Sequence, residues 1–168
     1  MAERVHPLAP LAAESSACPA ATLSAQPPMT RLLIRSKADL AAMGLRPPDV
    51  CRACTSGDRT VLWLGPDEFL LLTSVEPAPA GASVVDVSHR DTALTVSGPR
   101  AAWVVNAFCT LDLHETAFPV GMCTRTLFGK ATILLWRIAP DTFRIDVARS
   151  FAPYVWACLE EARREFLP

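Results

Sequence analysis

The sequence predicts an α+β fold: a mostly antiparallel sheet built from hairpins, with two main helices packed on it. Three observations carry this expectation. Residues 60–73 and 125–147 are strand-forming runs broken by the turn clusters Gly65-Pro66-Asp67 and Ala139-Pro140-Asp141, the pattern of β-hairpins. Residues 151–166 carry Phe151, Val155, Leu159, Ala162 and Phe166 at helical spacing, which is one apolar stripe. Residues 83–100 begin with the valine-rich run Val84, Val85, Val87, break at Ser88-His89-Arg90-Asp91, resume period two at Leu94 and Val96, and end in Ser97-Gly98-Pro99. That order reads as strand, turn, strand and helix start, with Ser97 as cap and Pro99 in a first turn that needs no N–H. Hairpins with segregated helices define the α+β class.

Taken in chain order, residues 1–28 are rich in alanine, proline and serine without regular apolar spacing, which predicts a flexible N-terminal arm. A single domain is expected over residues 29–168. Arg31 to Arg35 reads as a strand around Leu32, Leu33 and Ile34. Ser36 is placed to cap a short helix through Leu40 and Met43, with Asp39 as its acidic third residue. Gly44 ends that helix and Pro47-Pro48 prevents its continuation. Residues 49–58 read as a polar stretch and 76–81 as a loop. A helix is expected over 99–109 and a polar loop over 110–116. The second hairpin has strands at about 125–137 and 142–147, within which Gly129 marks a bulge or bend. The last helix, 151–166, has Ser150 as its cap and Pro153 in its first turn.

Composition bounds the function. At 168 residues and 51% hydrophobic content, one domain with a sizeable core fits. A net charge of −1 lacks the basic footprint of a nucleic-acid binder. The longest apolar runs, around Trp103–Val105 and Ile133–Trp136, fall far short of the roughly 20 residues of a membrane-spanning helix. A cytoplasmic protein is expected, with its six cysteines kept reduced. The slight apolar excess points to a surface partly covered by a partner.

None of the seven glycines forms a Gly-x-Gly-x-x-Gly loop, so no cofactor is expected on this chain itself. Cys51-Arg-Ala-Cys54 is the one paired-cysteine motif. A structural zinc site normally needs four ligands, and no second pair or His-x-x-x-His follows, so no metal is assigned. His89 and His114 lack a nucleophile held beside them by a third group. No catalytic residue is assigned; Asp112, in the loop after the first main helix, is the one acid singled out as a candidate. Arg100, Arg125, Arg137, Arg144 and Arg149 decorate the second half of the domain. Arginine with exposed tryptophan suits interface anchors. His89, Arg90, Arg100, Arg125 and Arg149 are the candidate interface residues, and any exposed member of Trp63, Trp103, Trp136 and Trp156 is a candidate hot spot.

Four segments carry a family resemblance: Val61–Leu72, Ser83–Arg100, Phe118–Arg125 (Phe-Pro-Val-Gly-Met-Cys-Thr-Arg) and Arg149–Trp156 (Arg-Ser-Phe-Ala-Pro-Tyr-Val-Trp). The second resembles the aspartate–valine–serine–histidine strand and Ser-Gly-Pro helix start of folate-dependent aminomethyltransferases, and the fold is expected to be similar to their N-terminal part. Together, over about Thr30 to Phe166, the segments resemble the gamma subunit of heterotetrameric bacterial sarcosine oxidases. The resemblance implies an oxidoreductase complex that demethylates sarcosine to glycine, forms hydrogen peroxide and passes the one-carbon unit to tetrahydrofolate. It implies alpha, beta and delta subunits as partners, which hold FAD, FMN, NAD, zinc and tetrahydrofolate, and a structural, noncatalytic role for this chain. The matching position for the aminomethyltransferases' functional aspartate is Asp112; a stand-alone minimal one-carbon transferase using it is the alternative.

Overall fold

The computed structural model describes residues 6–15, 17–74 and 83–167; the expected loop 76–81 lies outside them. The α+β class holds, but the strands divide into two antiparallel five-stranded sheets rather than one. The first sheet has the order β1 (Thr22–Ala25), β7 (Asp91–Ser97), β10 (Thr142–Ala148), β9 (Ala131–Ala139), β8 (Cys123–Phe128). The second has β3 (Ala53–Ser56), β4 (Arg59–Gly65), β5 (Glu68–Thr73), β2 (Thr30–Ile34), β6 (Val84–Asp86). Helices α1 (Ala9–Glu14), α2 (Lys37–Ala42), α3 (Ala101–Asn106) and α4 (Ala152–Arg163) complete the chain, with a 3₁₀ turn at Arg164–Phe166.

Strand alternation explains the layering. Ile133 and Leu135 of β9 and Phe143, Ile145 and Val147 of β10 join Val104, Val105, Val155 and Leu159 of α3 and α4 in one core. On the other face of β9, Leu134 meets Leu62, Leu70 and Leu72 of β4 and β5, so the two sheets pack face to face. Val61, Phe69 and Leu71 point away from that contact and bury Leu40 of α2. The continuous run Phe69–Leu72 is therefore buried on both faces, which removes any polar alternation from its sequence.

The segment 83–100 is the crossing between sheets. β6 pairs with β2 in the second sheet, whereas β7 pairs with β1 and β10 in the first. Its polar residues stitch that crossing: Asp86 Oδ1 accepts the Ser88 N–H at 2.8 Å, and Ser88 Oγ accepts the Arg31 N–H at 2.9 Å.

Several local expectations are corrected. Part of the expected arm is folded: Leu8 and Ala21 are fully buried, and β1 pairs with β7 from Thr22↔Ser97 to Ala25↔Leu94. The polar stretch 49–58 contains β3, paired with β4. Ser97 does not cap α3, because its backbone is held in β7 between Thr22 and Thr142; Arg100 is the N-cap residue. Ser150 does not cap α4, which starts after Phe151 with no side-chain cap. The expected single strand 125–137 is two antiparallel strands, β8 and β9, and Gly129 marks the bend between them, at φ +55° in their tight turn, rather than a bulge. Ser36 does cap α2, accepting the Ala38 and Asp39 N–H groups.

Candidate functional site

The polar centre of the molecule lies between the sheets. On β10, Phe143, Ile145 and Val147 face the helices, so alternation turns Arg144 and Asp146 toward the second sheet. There they meet Arg31 of β2. Asp146 Oδ1 accepts Arg31 Nε at 3.2 Å and Nη2 at 3.1 Å, and Asp146 Oδ2 accepts Arg144 Nε at 2.7 Å. All three side chains are buried. Burial acts to raise the Asp146 carboxyl, but the charges and hydrogen bonds of Arg144 and Arg31 outweigh it and hold it below the usual carboxylate range.

Above this clamp opens a cleft of about 220 Å³ whose lining includes Leu64, Leu70, Leu134, Asp146, Arg90 and Arg125. Its rim is arginine-rich. Arg90 pairs with Asp91 (Nη2–Oδ2 3.0 Å), while Arg125 and Arg35 both pair with Glu68, the latter at 3.3 Å. The hydrogen bond from Arg125 holds the Glu68 carboxyl below its ordinary range, against burial, with the charges of Arg125, Arg35 and Arg90 adding to it. The Arg149 N–H donates to Arg90 O at 3.1 Å, bringing a third expected residue to the same corner.

The structure thus sets Arg90 and Arg125 on one cleft, with the Arg149 backbone joined to Arg90. His89 sits exposed on the adjoining turn. Arg100 stands apart, its guanidinium carbon 5.9 Å from the Phe166 ring centre. Phe166 in turn meets Trp103 edge to face, and Trp103 is the tryptophan left substantially exposed, at 56%. Arg137 is structural: its buried guanidinium donates to Phe118 O at 2.9 Å and Pro140 O at 3.0 Å, tying down the loop before β8. Asp112 is exposed, and its Oδ1 accepts the His114 N–H at 2.8 Å, closing a local turn.

Among the described residues no group of three or more His, Cys, Asp or Glu could hold a metal ion. All six cysteines are unbridged. Burial pushes the Cys123 thiol up to about 12, which leaves it unreactive. The half-exposed rim arginines, each braced by a carboxylate, suit recognition of another protein surface, since Arg presents several donors in a rigid fork.

Sequence reasoning missed Arg31, Asp146, Glu68 and Arg35. A signal existed for one pair: Arg144 and Asp146 alternate with three apolar residues in a strand, so both had to face either solvent or another layer. Pairing with Arg31, 113 positions or more away, had no local signature.

Comparison with known proteins agrees with this architecture. The family model described as sarcosine oxidase, gamma subunit family matches residues 78–165. The chain is 35% identical over 116 residues to sarcosine oxidase subunit gamma of Corynebacterium sp. (strain U-96), and 33% identical over 116 residues to that of Arthrobacter sp.. Each match covers 63% of this chain and 57% of the relative, so the chain spans little more than half the length of these curated relatives. A chain of heterotetrameric sarcosine oxidase from Corynebacterium sp. U-96, in complex with pyrrole 2-carboxylate, superposes with TM-score 0.87 at 33% identity, covering 97% of this chain and 96% of that one. The glycine cleavage system aminomethyltransferase T of Bartonella henselae shares the fold, with TM-score 0.61 at 15% identity over 88% of this chain and 47% of that one. The family resemblance carried by the strand, turn, strand and helix start at residues 83–100 is thereby accounted for, and this chain belongs to the sarcosine oxidase gamma subunit family.

Proposed function

We propose that this chain is a structural, noncatalytic subunit of a cytoplasmic heterotetrameric sarcosine oxidase. In that complex sarcosine is demethylated oxidatively to glycine, oxygen is reduced to hydrogen peroxide, and the one-carbon unit passes to tetrahydrofolate. The alpha, beta and delta subunits are its partners and hold FAD, FMN, NAD, zinc and tetrahydrofolate. The observation that carries this reading is the nearly full-length superposition on a chain of a heterotetrameric oxidase. The noncatalytic role is supported by Asp112, whose carboxylate closes a surface turn with the His114 N–H. The arginine-rimmed cleft, with Arg90, Arg125 and Arg149, is the proposed contact with a partner subunit, and Trp103 with Arg100 forms a second contact.

Co-expression with the other three subunits tests the reading. A stoichiometric complex is expected, with flavin absorbance following the partner subunits and none on this chain alone. A chain that stays monomeric beside a complete, active oxidase of the other subunits overturns it. Saturable micromolar tetrahydrofolate binding by this chain alone, abolished in Asp112→Asn, supports the one-carbon transferase instead.

A further inference from the structure

We propose that the arginine-rimmed cleft receives an acidic segment of a neighbouring oxidase subunit, whose carboxylates meet Arg90 and Arg125; this deepens the subunit reading above and rests on it.

The cleft exists because the second sheet stops short of the first. On the inner face of the first sheet, Cys123, Trp136 and Leu134 pack against Leu62, Leu70 and Leu72. Strand alternation carries the same face outward to Leu127, paired with Thr132, and to Ala148, paired with Asp91. These four residues lie outside the apolar contact. Leu127 is 58% exposed, Thr132 is exposed, and Ala148 and Asp91 are half-buried. The cleft of about 220 Å³ opens at this bare end of the sheet. A depression of about 390 Å³ beside Leu127 continues it, with Arg125 and Thr132 lining both.

Charge is layered around the opening. Glu68 and Asp91 lie low, their side chains 12% and 16% exposed, while Arg35, Arg90 and Arg125 stand outward at 55%, 53% and 42%. Three cations thus share two anions. The layer beneath repeats the excess, since Arg31 and Arg144 share Asp146. A chain of net charge −1 therefore presents a positive surface here, and its complement is acidic. Arg90 spends Nε and Nη2 on Asp91, and Arg125 spends Nη2 on Glu68. Each fork keeps other N–H donors for a second carboxylate. A small anion would leave Leu127 and the bare end of the sheet uncovered. The occupant is therefore polypeptide, with acidic residues at the rim and an apolar side chain beside Leu127.

Two substituted forms of the full chain, co-expressed with the other subunits, test the proposal. Arg90→Gln with Arg125→Gln should lower recovery of complex at least tenfold at about 50 mM salt, and the gap should close to within about twofold at roughly 0.5 M, where such charges are screened. Arg125→Lys keeps the charge and supplies an amine. Carbodiimide treatment of its assembled complex condenses that amine with an adjacent carboxylate, losing water and forming an amide. Peptide mass mapping should then show position 125 linked to an aspartate or glutamate of another subunit, a readout that stands even if the double variant fails to fold. Normal assembly of the double variant, a loss by a folded double variant that persists at high salt, or links from position 125 only to Glu68 of its own chain overturns the proposal and leaves the subunit reading intact. A link to a second copy of this chain also overturns it. An unsubstituted chain that joins no complex overturns the subunit reading and this inference together.

Discussion

Asp146 is the residue on which the contact between the sheets depends most. It accepts hydrogen bonds from Arg31 of one sheet and Arg144 of the other while all three are buried. Replacing it leaves two guanidinium groups without their anion in a low-dielectric layer. Asp146→Ala should therefore cost about 3–5 kcal/mol in urea denaturation, the usual price of breaking a buried pair from one side. The pH dependence has a definite sign. The Asp146 carboxyl lies below its ordinary value in the folded chain, so the unfolded chain binds a proton more readily. Its contribution is complete above about pH 4 and is lost as the pH falls further. Urea midpoints should drop on acidification below pH 4 in the unsubstituted chain, and less steeply in Asp146→Asn. A parallel drop in both would assign acid lability to other carboxylates. The polar alternation of Arg144 and Asp146 was visible in the sequence, but their partner was not, because a cross-sheet contact leaves no short-range pattern.

At the scale of elements, the N-terminal segment shows where composition misleads. Its alanines and prolines imitate a disordered tail, and its apolar residues show no period because each serves a different local structure. Leu8 caps the core beside α1, Leu23 lies on β1, and Ala21, buried in the core, offers its carbonyl to Arg163 Nη1 of α4 at 3.2 Å. Leu8→Ala should cost about 2–5 kcal/mol, as for other buried leucines, and should speed proteolysis within the first 25 residues; an unchanged melting temperature would restore the flexible-arm reading. Gly98 locks this segment to the start of α3. It has φ +126°, and a Cβ there would lie 2.7 Å from the Ala20 carbonyl oxygen. Gly98→Ala should destabilise the fold by on the order of 1–3 kcal/mol, measured by thermal unfolding. The hairpins were legible because turn chemistry is local: Pro66-Asp67 and Pro140-Asp141 sit where the sequence placed them. The Ser150 and Ser97 caps were not, since strand pairing and the turn at Phe151 decided those ends.

For the whole molecule, the division into two facing sheets was the feature least legible in advance. Residues 83–100 read correctly as strand, turn and strand, yet a hairpin and a crossing between sheets share that local pattern. What distinguishes them is the pairing of β6 with β2 and of β7 with β10. Of the candidate interface residues, Arg90 and Arg125 line one cleft and the Arg149 N–H bonds to Arg90 O beside it, whereas Arg100 belongs to the Trp103 end. Reversing the charge at the rim with Arg90→Glu and Arg125→Glu together should weaken assembly at least tenfold while leaving the melting temperature of the free chain within a few degrees, since exposed ion pairs contribute little to stability. The most direct test is native mass spectrometry of the four co-expressed subunits. The expected result is a single complex holding one copy of this chain with each of the other three, with no flavin or folate mass on this chain when it is released. A fully active oxidase that forms without this chain, which remains a separate monomer, would contradict its role as an assembly subunit.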